Sequence, residues 1–159
     1  MKHRQCFPCT ACCDGWLTSD IDGVRIMPGR PCVHSTKRGC GIYEKRPHTP
    51  CVVFSCAWLQ GEYNLPDHMK PSGCGAIVLS DRLWNGYKVI QAVPTGEKIP
   101  GETLEWLMAL SRELFMPLLF SEHVFKNGEL ISKRKIGYGP PAFIKAVKME
   151  PGSDDVFMF

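Results

Sequence analysis

The sequence predicts an α+β protein in which a loop-rich, cysteine-cluster metal module is joined to a small antiparallel sheet with one or two helices. Three observations predict it. Eight of the nine cysteines stand within the first 56 residues. Beyond residue 75, two Asn-Gly pairs each separate short apolar runs, the signature of β-hairpins. Between those pairs lies a segment whose apolar residues recur at helical spacing. At 159 residues a single domain is expected, long enough to bury its own core. Within it, residues 1–60 read as the metal module and residues 75–159 as the α+β body.

The module comes first along the chain. Its cysteines run Cys6-x2-Cys9-x2-Cys12-Cys13, then Cys32, Cys40, Cys51 and Cys56. A Cys-x2-Cys turn sets two thiolates on one side of a tight loop, close enough to share a metal or a cluster. Three in succession have the spacing of ferredoxin loops, where another thiolate comes from far along the chain. Side chains of adjacent residues diverge, so Cys12 and Cys13 either serve different metals or one of them is not a ligand. Eight thiolates divide into two four-cysteine sites, or into one site with spare structural cysteines. Spacing leaves that choice, and the pairing, open.

Compartment and charge bear on the same reading. The start Met1-Lys2-His3-Arg4-Gln5-Cys6 has no apolar stretch behind it, and no run approaches the roughly 18 apolar residues of a membrane span. A cytoplasmic location without membrane association is expected, and there dense cysteines mean metal or redox chemistry rather than disulfides. The net charge of +3 is too small to argue for nucleic acid. Residues 1–56 carry eight basic residues (Lys2, Arg4, Arg25, Arg30, Lys37, Arg38, Lys45, Arg46) against Asp14, Asp20, Asp22 and Glu44, a balance of +4. A four-thiolate zinc or an oxidised cubane carries about −2. The basic residues would offset that charge and donate hydrogen bonds to sulfur, whereas the alternative is a solvated basic surface.

The leading cluster, followed by Pro31-Cys32 and by Gly39-Cys40-Gly41-Ile42-Tyr43-Glu44-x-Arg46-Pro47-x3-Cys51-x2-Phe54-x-Cys56, resembles the zinc- or iron-chelating CxxCxxCC family, the YkgJ-type cysteine-cluster proteins. The match runs from Cys6 to about Leu59, roughly a third of the chain, and includes every cysteine of the family pattern. The resemblance implies metal chelation and brings no settled reaction. The flagellin lysine methylases share the cluster and are associated with iron–sulfur chemistry, but they are longer, and nothing here matches their additional portion. Between zinc, which suits four-thiolate sites in small loop-rich modules, and an iron–sulfur cluster, the ferredoxin spacing and the resemblance favour iron–sulfur.

In the body, Ala76-Ile77-Val78-Leu79 and Tyr87-Lys88-Val89-Ile90-Gln91-Ala92-Val93 read as strands about the Asn85-Gly86 turn. Pro100-Gly101 precedes a helix expected over roughly 102–120, with Leu104, Leu107, Met108, Leu114, Phe115 and Leu118 on its apolar stripe and Pro117 ending or kinking it. A second hairpin is expected at 124–131 around Asn127-Gly128, and a last helix from Pro140-Pro141 to about Met149. The order hairpin, helix, hairpin, helix places both helices on one face of the sheet.

Other residues are weighed against plainer roles. Cys74, between Gly73 and Gly75, reads as a free structural cysteine before a reactive thiol. His34 and His48 read as surface or supporting groups rather than ligands, and His3, His68 and His123 form no pattern. Trp16, Phe54 and Trp58, beside cysteines, read as packing that shields the site from water. Lys133-Arg134-Lys135 reads as a solvated strand end, and Gly137-Tyr138-Gly139 lacks the setting of a dinucleotide site. Within the Arg46-Pro47 pair, proline stiffens the loop before Cys51 and arginine is free to brace carbonyls or sulfurs.

Three function classes follow. The first is a metal-binding protein whose iron–sulfur cluster or zinc serves redox or structure within a complex, with a protein partner. The second is a cluster-dependent enzyme modifying a protein side chain, and the third a metal carrier. No Ser/His/Asp arrangement, phosphate loop or paired carboxylates point to a catalytic site, and the apolar flanks of the module argue against a carrier.

Overall fold

The sequence of the module has few periodic apolar runs, and accordingly it folds into turns rather than long elements. In the structure, a computed structural model that describes residues 3–150, it holds two short hairpins. β1 (Ser19–Ile21) pairs with β2 (Val24–Ile26), and β3 (Ser35–Thr36) with β4 (Gly39–Cys40). Single helical turns follow at Tyr43–Lys45 and His48–Val52, then the short helices α1 (Ala57–Gln60) and α2 (Pro71–Cys74). Met1 and Lys2, the latter counted above among the basic residues, lie outside the described residues.

The body is a four-stranded sheet in the order β5 (Ala76–Trp84), β6 (Tyr87–Pro94), β7 (Leu118–Lys126), β8 (Glu129–Tyr138). Both expected hairpins form. Asn85 and Gly86 take φ of 44° and 81°, and Asn127 and Gly128 take 53° and 77°. Two consecutive left-handed residues give the twist that antiparallel strands need, and Asn-Gly reaches it at little cost. The sheet is mixed rather than purely antiparallel. α3 (Gly101–Leu114) carries the chain from β6 back to the start of β7, so these two central strands run parallel, with Ile90 opposite Leu118 and Ala92 opposite Phe120.

α3 is shorter than the sequence suggests. It stops at Leu114 because Phe115 turns left-handed (φ 52°) and returns its N–H to the Arg112 carbonyl. Pro117 follows, and Leu118, the last residue of the expected stripe, opens a strand instead. A short apolar run after a proline is ambiguous between helix and strand, and here pairing with Ile90 decides it.

The helices do not share a face. Ile90, Ala92, Leu118 and Phe120 pack with Leu107 and Leu110 of α3. Val89 and Leu119, one residue out of phase on the same strands, pack with Phe143 and Val147 of α4 (Pro141–Met149). Alternation along a strand sends successive residues to opposite faces, so α3 and α4 sandwich the sheet. Gly137 permits the second contact, since a Cβ there would stand 2.9 Å from Val147 and 3.0 Å from Phe143.

Module and body share one core. Ala11, Leu17, Cys56, Ala57, Trp58, Leu65 and Met69 belong to the same buried cluster as Ile77, Val78, Ile90 and Leu107. No helix among the described residues is long and apolar enough to cross a membrane.

One glycine fixes the loop that follows the cysteine pair. Gly15 has φ of +90°, and a Cβ there would lie 2.2 Å from the Met27 carbonyl oxygen. Gly15→Ala combines left-handed strain with a backbone collision, so a loss of at least about 2 kcal/mol is expected. The thermal melt should fall by about 5 °C or more, and an unchanged melt would show that this loop gives way freely.

Candidate metal centre

Eight thiols from five stretches of chain converge on one region, and the backbone explains how. The Cys9 N–H donates to the Cys6 carbonyl (2.7 Å) and the Gly15 N–H to the Cys12 carbonyl (3.2 Å), winding residues 6–15 into consecutive turns. Cys32 is brought to this coil by its N–H, which donates to the Cys13 carbonyl at 2.8 Å. Cys40 stands opposite Ser35 in the β3–β4 ladder. Asp14 clamps the two segments, accepting from Thr10 Oγ1 at 2.8 Å and from Ser35 Oγ at 3.2 Å. Cys51 sits in the turn at His48–Val52 behind Pro47, and Cys56 immediately precedes α1.

Cys6, Cys9, Cys12, Cys13, Cys40, Cys51 and Cys56 line a chamber of about 180 Å³, with Leu17, Ile21, Phe54 and Leu59 among its walls. Cys32 is buried and lies beyond that lining. All nine cysteines are free thiols.

Their mutual influence sorts them. Burial drives Cys12 far above its ordinary value, and the thiols adding to this are Cys56, Cys6, Cys9 and its neighbour Cys13. Cys13 is pushed up to about 12, first by burial and then by Cys40, Cys32, Cys51 and last Cys6. Cys51 is raised by burial and then by Cys40 and Cys32. Cys56 is raised by burial, with Cys6 and Cys9 contributing and the amides of Leu59 and Trp58 opposing. Cys6 is raised by burial and by Cys9. The thiols acting most on Cys12 are thus Cys56, Cys6 and Cys9, and those acting most on Cys13 are Cys40, Cys32 and Cys51, while Cys6 and the adjacent pair itself link the two sets.

Burial without a cation disfavours the thiolate, so Cys6, Cys12, Cys13, Cys51 and Cys56 hold their protons at neutral pH. Soft thiolates suit zinc and iron–sulfur chemistry by type. Spacing in this structure is looser than chelation, because among the described residues no three His, Cys, Asp or Glu side chains are gathered closely enough to hold a metal ion.

Few of the basic residues act on the thiols. Arg46 does: its guanidinium stacks 3.8 Å from the Tyr43 ring centre, donates to the Tyr43 carbonyl at 2.7 Å, lines the chamber and pulls down both Cys6 and Cys51. Arg4 instead bonds the carbonyls of Trp58 and Leu65, and Arg25 pairs with Asp20 at 2.8 Å. Lys37, Arg38 and Lys45 are exposed. Lys70, outside the module, is the second cation acting on Cys6, and its ammonium donates to the Gln5 and Phe7 carbonyls. Pro66, Met69 and Pro71 bring Lys70 back to the first cysteine loop, a long-range return that no local pattern announces.

The remaining candidates fall as follows. His34 lies 4.0 Å from Asp22, and His48 is exposed. Phe54 lines the chamber, while buried Trp58 donates its indole N–H to the Pro66 carbonyl at 3.1 Å. Cys74 is turned into the core, its sulfur 3.3 Å from the carbonyls of both Met69 and Ala76. Lys133-Arg134-Lys135 is not a solvated end. Lys133 is buried and donates to Thr18, and Lys135 pairs with Glu150 at 2.7 Å, because alternate residues of β8 face the interior. His123, unremarkable in sequence, is buried with its ring stacked 5.6 Å from Trp16, and Nδ1 meets the Gly96 carbonyl at 2.8 Å.

The raised thiols give the metal-free protein a pH dependence whose sign follows from linkage. A folded pKa above the unfolded value contributes stability that is fully present below the unfolded value, ordinarily 9.0, and is lost as pH rises through the folded one. Under reducing, metal-free conditions the urea midpoint should decline from pH 9 toward 12. A midpoint that rises across that window would contradict the burial of these thiols.

No family model, curated protein or solved structure matches the chain.

Proposed function

We propose that the chain is a metal-binding protein with two four-cysteine centres, Cys6/Cys9/Cys12/Cys56 and Cys13/Cys32/Cys40/Cys51, holding iron–sulfur clusters in preference to zinc. The observation that carries this reading is a set of eight free thiols, seven of them lining one chamber, in which the adjacent Cys12 and Cys13 have different leading neighbours. Adjacent side chains that cannot both serve one centre are used, on this reading, one for each. Its resemblance to the CxxCxxCC family supports the same donor set.

When bound, a four-thiolate iron–sulfur centre supplies one-electron exchange, and zinc supplies folding energy. The chain's own contribution is to place the thiols, to exclude water with Leu17, Phe54 and Leu59, and to set the fixed charge of Arg46 between Cys6 and Cys51. Loading must drive the protons off, so metal affinity rises with pH. A redox or structural role within a complex fits this arrangement better than a carrier, whose thiolates must be exposed for exchange; of the eight, Cys6 alone is exposed.

Cys74 provides the control. Cys74→Ser is expected to keep its metal and to cost only about 1 kcal/mol, since a hydroxyl can meet the same carbonyls. Metal content and a thermal melt check this. Loss of metal from Cys74→Ser would make it a ligand and break the division into quartets.

A further inference from the structure

The exposed side of the chamber combines apolar side chains with cations that make no ion pair among the described residues. Phe7 is 61% exposed, Tyr43 49% and Val52 46%, and all three line the chamber mouth beside Cys6. The tip of the β3–β4 hairpin adjoins them, since a Cβ on Gly39 would stand 3.8 Å from the Phe7 ring. That tip carries Lys37 and Arg38, and the next turn carries Lys45 and Arg46. Glu44 is the sole acid between residues 33 and 53. Lys37, Arg38 and Lys45 are exposed and make no ion pair among the described residues.

The same place is the open edge of the first quartet. Cys6, Phe7, Tyr43 and Leu59 line both the thiol chamber and an adjoining cleft of about 900 Å³, whose lining includes His3 and Arg4 and no acid. An apolar centre flanked by mainly positive charge, here Lys37, Arg38, Lys45 and Arg46 against Glu44 and Asp22, is the form of a transient protein interface, in which the charges steer encounter and set orientation while the apolar contact holds. We propose that this face docks a protein with an acidic surface, which covers Phe7, Tyr43 and Val52 and approaches the Cys6 edge of the first centre. The docking rests on the metal-centre reading for its purpose, but the surface stands without it. A protein is favoured over a membrane because the cations sit on two tight turns rather than along an amphipathic helix.

A small acidic [2Fe–2S] ferredoxin is the probe, titrated into the full chain with and without metal and followed by amide NMR shifts. Shifts are expected at Phe7, residues 37–46 and Val52, with binding at least about tenfold weaker in K37E/R38E/K45E and similarly weakened by raised salt. The variant K98E/K126E/K148E makes the same charge change at exposed positions elsewhere and should bind as the parent does. Equal losses in the two variants, shifts at another face, or no salt-sensitive binding would overturn the proposal. So would preferential binding of anionic vesicles or single-stranded DNA in parallel titrations. Absence of metal with binding intact would reject the metal-centre reading and leave the docking face standing; bound metal without ferredoxin binding would do the reverse.

Discussion

Replacing Cys9 by serine is expected to remove about half of the bound metal and to leave the other half in place. On the proposed division Cys9 serves with Cys6, Cys12 and Cys56, and Cys13 with Cys32, Cys40 and Cys51. A hydroxyl is a poor substitute for a soft thiolate, so a quartet reduced to three thiolates should empty or bind weakly. Cys51→Ser should remove the complementary half, and the pair of substitutions together should leave none. Metal analysis of the three variants, purified without oxygen, reads this directly. Complete loss from either single variant would mean one shared centre, with Cys12 and Cys13 no longer marking a division. Full retention in Cys9→Ser would remove Cys9 from the ligand set.

The second large effect is expected at Trp58, whose amide meets Cys56 and whose ring holds the first cysteine loop. Its ring is buried, with Arg4 4.8 Å from one ring centre and the Lys70 ammonium 5.1 Å away. Arg4 then bonds the carbonyls of Trp58 and Leu65, and Lys70 bonds those of Gln5 and Phe7, on either side of Cys6. Trp58→Ala removes the surface on which both cations rest and leaves a cavity beside Cys56. A loss of about 3–5 kcal/mol is expected, lowering the melt by on the order of 10 °C. Metal content should fall in the first quartet before the second. Trp58→Phe keeps an aromatic face but loses the bond to Pro66, and should cost far less. A melt for Trp58→Ala within 2–3 °C of the parent, by the roughly 2–4 °C per kcal/mol expected for this size, would show that the cations hold the loop unaided.

Much of this molecule is legible before folding wherever the chemistry is local. Both Asn-Gly turns were readable because each residue in them tolerates the left-handed backbone that a two-residue hairpin needs. The start of α3 after Pro100 and the last helix after Pro140 follow from proline's fixed φ. The thiols identify themselves by density. What stays hidden is long-range. Leu118 lies at helical spacing from Leu114, and only its place opposite Ile90 makes it strand. Lys133 and Lys135 look solvated in a basic run, yet the register of β8 turns them inward toward Thr18 and Glu150. Nor does spacing show that Cys32 returns to Cys13, since its N–H bonds back to the Cys13 carbonyl across the β1–β2 hairpin. Lys70 and His123 have no motif at all. They matter through what the fold sets beside them, namely the Cys6 loop for one and Trp16 for the other.

The most direct test of the two-centre account is the visible spectrum of the full chain purified without oxygen, taken together with its iron, zinc and acid-labile sulfide per chain. Two iron–sulfur centres give brown protein with broad visible absorption, iron and sulfide in amounts that fill two four-cysteine sites, and bleaching when the iron is chelated. Colourless protein with two zinc ions would keep the quartets and overturn the iron–sulfur assignment. A chain that binds neither iron nor zinc, with its eight thiols free, would contradict the account at its centre.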